Sequence, residues 1–205
     1  MNALDLNAIE TAKPIFDPFE HVIVPEVISK TRLSSVIGEF PEVNKSGSFP
    51  VSGVKCGPNF EILMKELNSE TFAEKIGSKL GIDLSNKPKM ITVRGYCRSS
   101  DGKIHTDSKG KLVTVLIYLN SSWQKEGGRL RLLYNNHDME NFAAEVPPYQ
   151  GSMVAFACHP HSWHGHQSYE GERKMIQLNW VVNRSYKVRE ELRHSMSSHF
   201  KKFFR

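Results

Sequence analysis

"KLVTVLIYLN", residues 111–120, sets the class of the fold. Val113, Val115, Ile117 and Leu119 recur at every second position, and Thr114 and Tyr118 interrupt the alternate ones. A period of two belongs to a strand, because successive side chains leave an extended chain on opposite sides. The run "RKMIQLNWVV" (173–182) repeats the pattern, with Ile176, Leu178, Trp180 and Val182 on one face and Arg173, Gln177 and Asn179 on the other. The apolar faces need a partner layer. The mixed faces meet either solvent or a polar pocket inside a closed roll.

Outward from these two runs, "KMITVRGYC" (89–97), "GRLRLL" (128–133) and "GSMVAFAC" (151–158) are also rich in β-branched and aromatic residues, bounded by Gly, Pro, Asn and Ser. Strands of this length and spacing point to a sandwich or jelly roll. The first half reads differently. Residues 24–40 carry apolar side chains at helical spacing up to Pro41, and residues 68–83 begin at an N-cap, Ser69, followed by a stripe of Phe72, Ile76 and Leu80. The expected fold class is therefore α+β, mainly β. It has a jelly-roll (double-stranded β-helix, cupin-like) core over 89–183 and N-terminal helices from 1–88 packed on one sheet. A C-terminal helix over 184–205 carries Val188, Leu192, Met196, Phe200 and Phe203 as an amphipathic stripe. No linker divides the 205 residues, so a single domain is expected. The segments 41–60 and 134–145 are candidate pocket lids.

Composition narrows the function classes. With 27 basic and 22 acidic residues the net charge is +5, but residues 183–205 hold seven Lys/Arg against two Glu. The rest of the chain balances to zero, so the basicity belongs to a tail and no nucleic-acid partner is expected. That tail is expected to dock on the chain's own sheet or to form a homodimer contact. No apolar run reaches the length of a membrane span, and no secretory signal is expected at the N-terminus. Three scattered cysteines outside CxxC spacing suit a reducing compartment, the cytoplasm.

Two stretches carry candidate chemistry. "KIHTDSKG" places His105 and Asp107 two apart, so an imidazole and a carboxylate leave an extended chain on one side. "HPHSWHGHQ" (159–167) holds His159, His161, His164 and His166. One of these on a later strand would complete a 2-His-1-carboxylate set, an arrangement that leaves open positions on Fe(II).

These motifs carry a resemblance. From Tyr96 to Val181 the chain resembles the Fe(II)/2-oxoglutarate dioxygenases, most closely the prolyl hydroxylase group. "GYCRSSDGKIHTD", "VTVLIYLN" followed by Trp and "GGRLRLL", "GSMVAFACHPHSWHGH" and "GERKMIQLNW" stand in the family's order and spacing. The resemblance selects His164 as the distal ligand, eight residues beyond Phe156 and nine before Arg173, with His166 as its rival. It thus implies a metal triad of His105, Asp107 and His164. Arg173, rather than Lys174, is implied to hold the distal carboxylate of 2-oxoglutarate. A guanidinium forks onto a carboxylate, and Arg173 shares the mixed face with Gln177 and Asn179. Tyr118, Tyr96 and Thr114 are the further cosubstrate residues, and Trp163 stands beside His164. The cofactors implied are Fe(II), 2-oxoglutarate, O2 and ascorbate. The implied reaction is hydroxylation of an aliphatic C–H, with succinate and CO2 as coproducts. The substrate is a small molecule or a peptidyl side chain such as proline. Relatives that halogenate lack the carboxylate ligand, so Asp107 favours hydroxylation. A non-catalytic or other-metal cupin-like binding module is the alternative, and Arg173 with Tyr118 discriminates, since a metal-only site has no use for a dicarboxylate clamp. A zinc hydrolase would want a general base beside the metal, and no HExxH-type motif supplies one.

Overall fold

In the computed structural model, which describes residues 2–192, the alternating runs become the strands of two facing antiparallel sheets. β1 (His21–Val24), β2 (Phe49–Pro50), β3 (Lys89–Cys97), β4 (Lys111–Tyr118), β5 (Leu130–Leu133), β6 (Phe142–Val146), β7 (Met153–Ala157), β8 (His164–Gly165) and β9 (Gly171–Val181) follow in chain order. The larger sheet runs β1-β7-β4-β9-β3-β2 and the smaller β6-β5-β8. Together they form the double-stranded β-helix, the jelly roll expected from the strand pattern.

The apolar faces find their partner layer in the helices. α1 (Leu6–Thr11), α2 (Lys30–Gly38), α3 (Pro58–Leu67) and α4 (Glu70–Leu80) precede the roll. Val36, Phe60, Leu63, Phe72 and Ile76 from these helices share one core with Val113, Val115, Ile117, Leu119, Ile176, Leu178 and Trp180. α4 starts where its cap says: the Ser69 hydroxyl accepts the Phe72 N–H, and Phe72, Ile76 and Leu80 are buried. Phe72 stacks on Trp180 with ring centroids 5.8 Å apart, fixing helix to sheet. A second core fills the roll itself, where Leu116, Tyr118, Leu130, Leu132, Val154, Phe156 and Met175 meet between the sheets.

Three local expectations are corrected. The helix expected from residue 24 begins at Lys30, because His21–Val24 pair with Phe156–Met153 as an edge strand. The segment 41–60 is not all loop: Phe49–Pro50 pair with Val93 and Thr92 of β3, and Pro58 opens α3 from the first helical position. Likewise Phe142–Val146 of the expected loop form β6 against β5. Residues 184–192 are helical, and Val188 and Leu192, exposed to 54% and 59%, line a groove with Phe49 and Pro50 of β2. Met196, Phe200 and Phe203 lie outside the described residues. Among the described residues no helix is long and apolar enough to cross a membrane.

Candidate active site

His105 sits in the loop between β3 and β4, and His164 opens β8. Each donates its backbone N–H to the other's carbonyl at 3.0 Å. Their rings lie 4.3 Å apart, centroid to centroid. The Nδ1 of His105 is 2.8 Å from the Lys103 carbonyl and that of His164 is 2.9 Å from the Ser162 carbonyl. A carbonyl can only accept, so Nδ1 carries a proton on both rings and Nε2 is the atom turned to bind a metal. Ligand atoms of His105, Asp107 and His164 all lie within 4.8 Å of one another. Burial, with His105 next in effect, lowers the pKa of His164 to about 4, so its ring is neutral at pH 7. Two imidazoles oriented through Nδ1 and one carboxylate fit a divalent metal ion.

Asp107 is held at both oxygens. Lys111 donates to Oδ1 at 2.6 Å and the Thr114 hydroxyl donates to Oδ2. The Thr114 oxygen in turn accepts from Asn179 Nδ2 at 2.6 Å, and Asn179 Oδ1 accepts from Gln177 at 3.2 Å. The chain of donors thus crosses from β9 through β4 to the carboxylate. Burial alone would raise the pKa of Asp107. The Lys111 ammonium, with His164 and the hydrogen bonds from Lys111 and Thr114, outweighs it and holds the group at about 2.

Further along the inner face of the large sheet, Arg173 donates to the Gly128 carbonyl at 2.8 Å and to the Tyr118 hydroxyl at 3.2 Å. Its guanidinium lies 5.0 Å over the Tyr118 ring. The Tyr118 pKa is raised by burial, which keeps the phenol protonated. Arg173 is 5% exposed and, among the described residues, has no carboxylate within 4.0 Å. A buried charge without a counter-ion is costly, and here it faces the inside of a roll. An incoming carboxylate fits it, with the Tyr118 hydroxyl alongside.

The other sequence candidates separate. Lys174 points the other way, with its ammonium 3.2 Å from Glu172 near the surface. Thr114 stands opposite Asn179 in the strand register, and its hydroxyl contacts Asp107 and Asn179. Tyr96 is half-buried near the end of β3, where the pairing register shifts, and makes no hydrogen bond to this group among the described residues. His166 lies outside the three-residue group. Its Nε2 is 3.8 Å from Cys97 Sγ and its ring packs on Gly102, where φ is +86° and a Cβ would meet the imidazole at 2.3 Å. His159 and His161 stack on each other, and His159 pairs with Glu20 at 2.9 Å. Trp163 is half-buried beside His164. Sequence reasoning missed Lys111 and also Cys158, whose sulfur is 3.8 Å from Asp107 Oδ2. The spacing of Lys111, four after Asp107, was its only visible signal.

Comparison with known proteins agrees with this geometry. Residues 91–182 match the model of the 2OG-Fe(II) oxygenase superfamily. Among solved structures, the chain is similar to a prolyl-4-hydroxylase from Pseudomonas putida, at 14% identity over 87% of this chain and 93% of that one, with a TM-score of 0.53. It is also similar to the viral collagen prolyl hydroxylase of Paramecium bursaria Chlorella virus-1 in its 2-oxoglutarate complex, at 15% identity over 82% and 99% of the two chains, TM-score 0.52. HygX from Streptomyces hygroscopicus, solved with nickel and 2-oxoglutarate, is 12% identical over 80% and 82%, TM-score 0.50. At such identities the likeness is one of fold. No curated protein matches the chain.

Proposed function

We propose, from the match of residues 91–182 to the 2OG-Fe(II) oxygenase superfamily model, that this protein is a member of that superfamily, an Fe(II)- and 2-oxoglutarate-dependent dioxygenase that hydroxylates an aliphatic C–H. The observation that carries the reading is Arg173: a buried guanidinium with no acid partner among the described residues, inside the same roll as a carboxylate flanked by two imidazoles. A structural metal site needs the imidazoles and the carboxylate but no such arginine. A site for a chelating dicarboxylate needs both ends.

His105, Asp107 and His164 would hold Fe(II) through Nε2, a carboxylate oxygen and Nε2. When bound, the ion and 2-oxoglutarate together supply the oxidising chemistry, in which O2 converts 2-oxoglutarate to succinate and CO2 and one oxygen atom enters the substrate C–H. Everything else falls to the chain. Arg173 and Tyr118 orient the cosubstrate by gripping its distal carboxylate, and the neutral Tyr118 hydroxyl donates where a phenolate would repel. Leu116, Leu132, Val154 and Met175 line the space between the sheets with apolar surface and exclude water from it. Thr114 and Lys111 keep Asp107 from turning. The substrate is a prolyl or other amino-acid side chain, in a peptide or free. The prolyl hydroxylases among the structural neighbours support that class, and ascorbate is the expected accessory reductant.

The test is an anaerobic titration of metal-free protein with Fe(II), with and without 2-oxoglutarate, followed by succinate formation with prolyl peptides and free amino acids. A visible charge-transfer band that needs both additions and is lost in His164→Ala is expected. Iron binding that never responds to 2-oxoglutarate would overturn the assignment.

A further inference from the structure

Among the described residues Lys111 is the one cation paired with Asp107, and the oxygenase reading uses it only to hold that carboxylate in place. Its side chain is 15% exposed and that of Asp107 is 8% exposed, and the two are joined at 2.6 Å. Among the described residues Asp107 is the only acid within 4.0 Å of its ammonium. The turn that delivers it is built in, since the Lys111 N–H closes onto the Ser108 carbonyl at 2.9 Å as β4 begins. At this contact the carboxylate and the ammonium balance each other.

Resting on the reading of this site as an Fe(II)/2-oxoglutarate centre, we propose that Lys111 makes retention of the metal depend on the cosubstrate. Its ammonium stands in for the cation at Asp107, so a divalent ion alone is held weakly until a dicarboxylate joins it. Charge counting gives the reason. Counted over Asp107 and Lys111 alone, the pair sums to zero, a dication takes it to +2, and a dianion returns it to zero. Without Lys111 the same series runs −1, +1, −1. The dication then gains at the first step and the dianion gains less at the second. A unit charge a few ångströms from a partly buried ion changes binding by roughly tenfold or more. Coupling of this kind is reciprocal, so the metal also makes 2-oxoglutarate bind more tightly.

Both steps are measurable with Mn(II), by calorimetry or by loss of the free-ion electron paramagnetic resonance signal. In wild type, 2-oxoglutarate tightens Mn(II) strongly. In Lys111→Met, Mn(II) alone binds about tenfold tighter, and the further tightening by 2-oxoglutarate shrinks by a similar factor. Lys111→Arg, which keeps the charge, behaves as wild type. If Lys111→Met binds Mn(II) alone no tighter than wild type, or more weakly, Lys111 does not stand in for the cation and the proposal is overturned. That outcome leaves the oxygenase reading intact. A wild-type protein that takes up no Mn(II) even with 2-oxoglutarate removes the reading on which the proposal rests.

Discussion

His105 and His164 exchange both of their backbone hydrogen bonds, N–H to carbonyl at 3.0 Å in each direction. This bridge joins a loop that precedes β4 to the start of β8, two places far apart in the chain. Each ring is then turned by a carbonyl two residues upstream. The backbone bridge and these two carbonyls thus set both rings so that one cation can reach the two Nε2 atoms and the Asp107 carboxylate.

His164→Ala tests that arrangement. The variant keeps the backbone bridge and Asp107 but removes one donor ring, which also packs 4.8 Å from Phe156. Mn(II) affinity is expected to fall by at least about 100-fold, while the circular dichroism spectrum stays that of the wild type. Equal loss of secondary structure and of metal binding would show instead that the ring is needed for the fold.

Thr114→Val removes one oxygen of nearly unchanged side-chain volume. It leaves Asp107 Oδ2 with only the weak Cys158 thiol donor at 3.8 Å and Asn179 Nδ2 without the Thr114 acceptor, both buried. The cost is expected at about 1–3 kcal/mol in urea unfolding, with a fall of roughly 10–100-fold in Mn(II) affinity. Thr114→Ser, which keeps the hydroxyl, should recover most of both. If only the stability changes, the donor chain from β9 supports the sheet and not the ligand.

Much of this was legible because it is local. The period of two in 111–118 and in 173–181 follows from which side chains must be buried, and the Ser69 cap declares the start of α4 three residues ahead. What stayed hidden depends on pairing between distant segments. "HVIV" is apolar enough to merge with the helical run after it, and only β7 makes it a strand. "FAAEV" shows little strand propensity and is β6 because β5 lies beside it. The two stations of the site show the same division. That Arg173 and Tyr118 share the inner face is plain from alternation. That Thr114 meets Asp107 needs the register that sets it opposite Asn179. Lys111 was unreadable because a lysine beside a turn is ordinarily solvated, and its contact depends on how residues 108–111 fold back.

His21 predicts an acid weakness away from the ligands. It is buried on β1, its Nδ1 donates to the Phe19 carbonyl at 2.8 Å, and its Nε2 has no partner. Burial lowers its pKa, against smaller raising effects from the Phe19 carbonyl and Asp17. The unfolded chain therefore binds the proton more readily than the native one. The stability that His21 contributes is full above the unfolded pKa of about 6.5 and is lost as pH falls toward the folded value. In His21→Asn, the amide can still donate to Phe19 but carries no titrating base. Urea unfolding at pH 7.5 and 5.5 should show a smaller acid loss in this variant, by up to about 1.4 kcal/mol per pH unit. An equal loss in both proteins would place the acid sensitivity elsewhere.

Arg173→Met separates stability from function. The wild-type guanidinium is buried with two neutral oxygens and a thioether as partners, at 2.8, 3.2 and 3.0 Å, and no acid among the described residues. Replacing a buried, uncompensated cation by an apolar chain of similar reach removes a desolvation cost, so the variant without ligand should melt at the wild-type temperature or above it. Binding should move the opposite way. 2-Oxoglutarate stabilises whichever state holds it, by mass action, so it should raise the melting temperature of metal-loaded wild type and leave Arg173→Met nearly unmoved. Mn(II) alone should bind both proteins alike, because Arg173 does not touch the ligand set. Thermal denaturation of the two proteins with Mn(II), with and without 2-oxoglutarate, reads all three effects in one series. A variant that loses stability yet keeps its full response to 2-oxoglutarate would mean that Arg173 supports the Gly128 turn and that the dicarboxylate binds elsewhere.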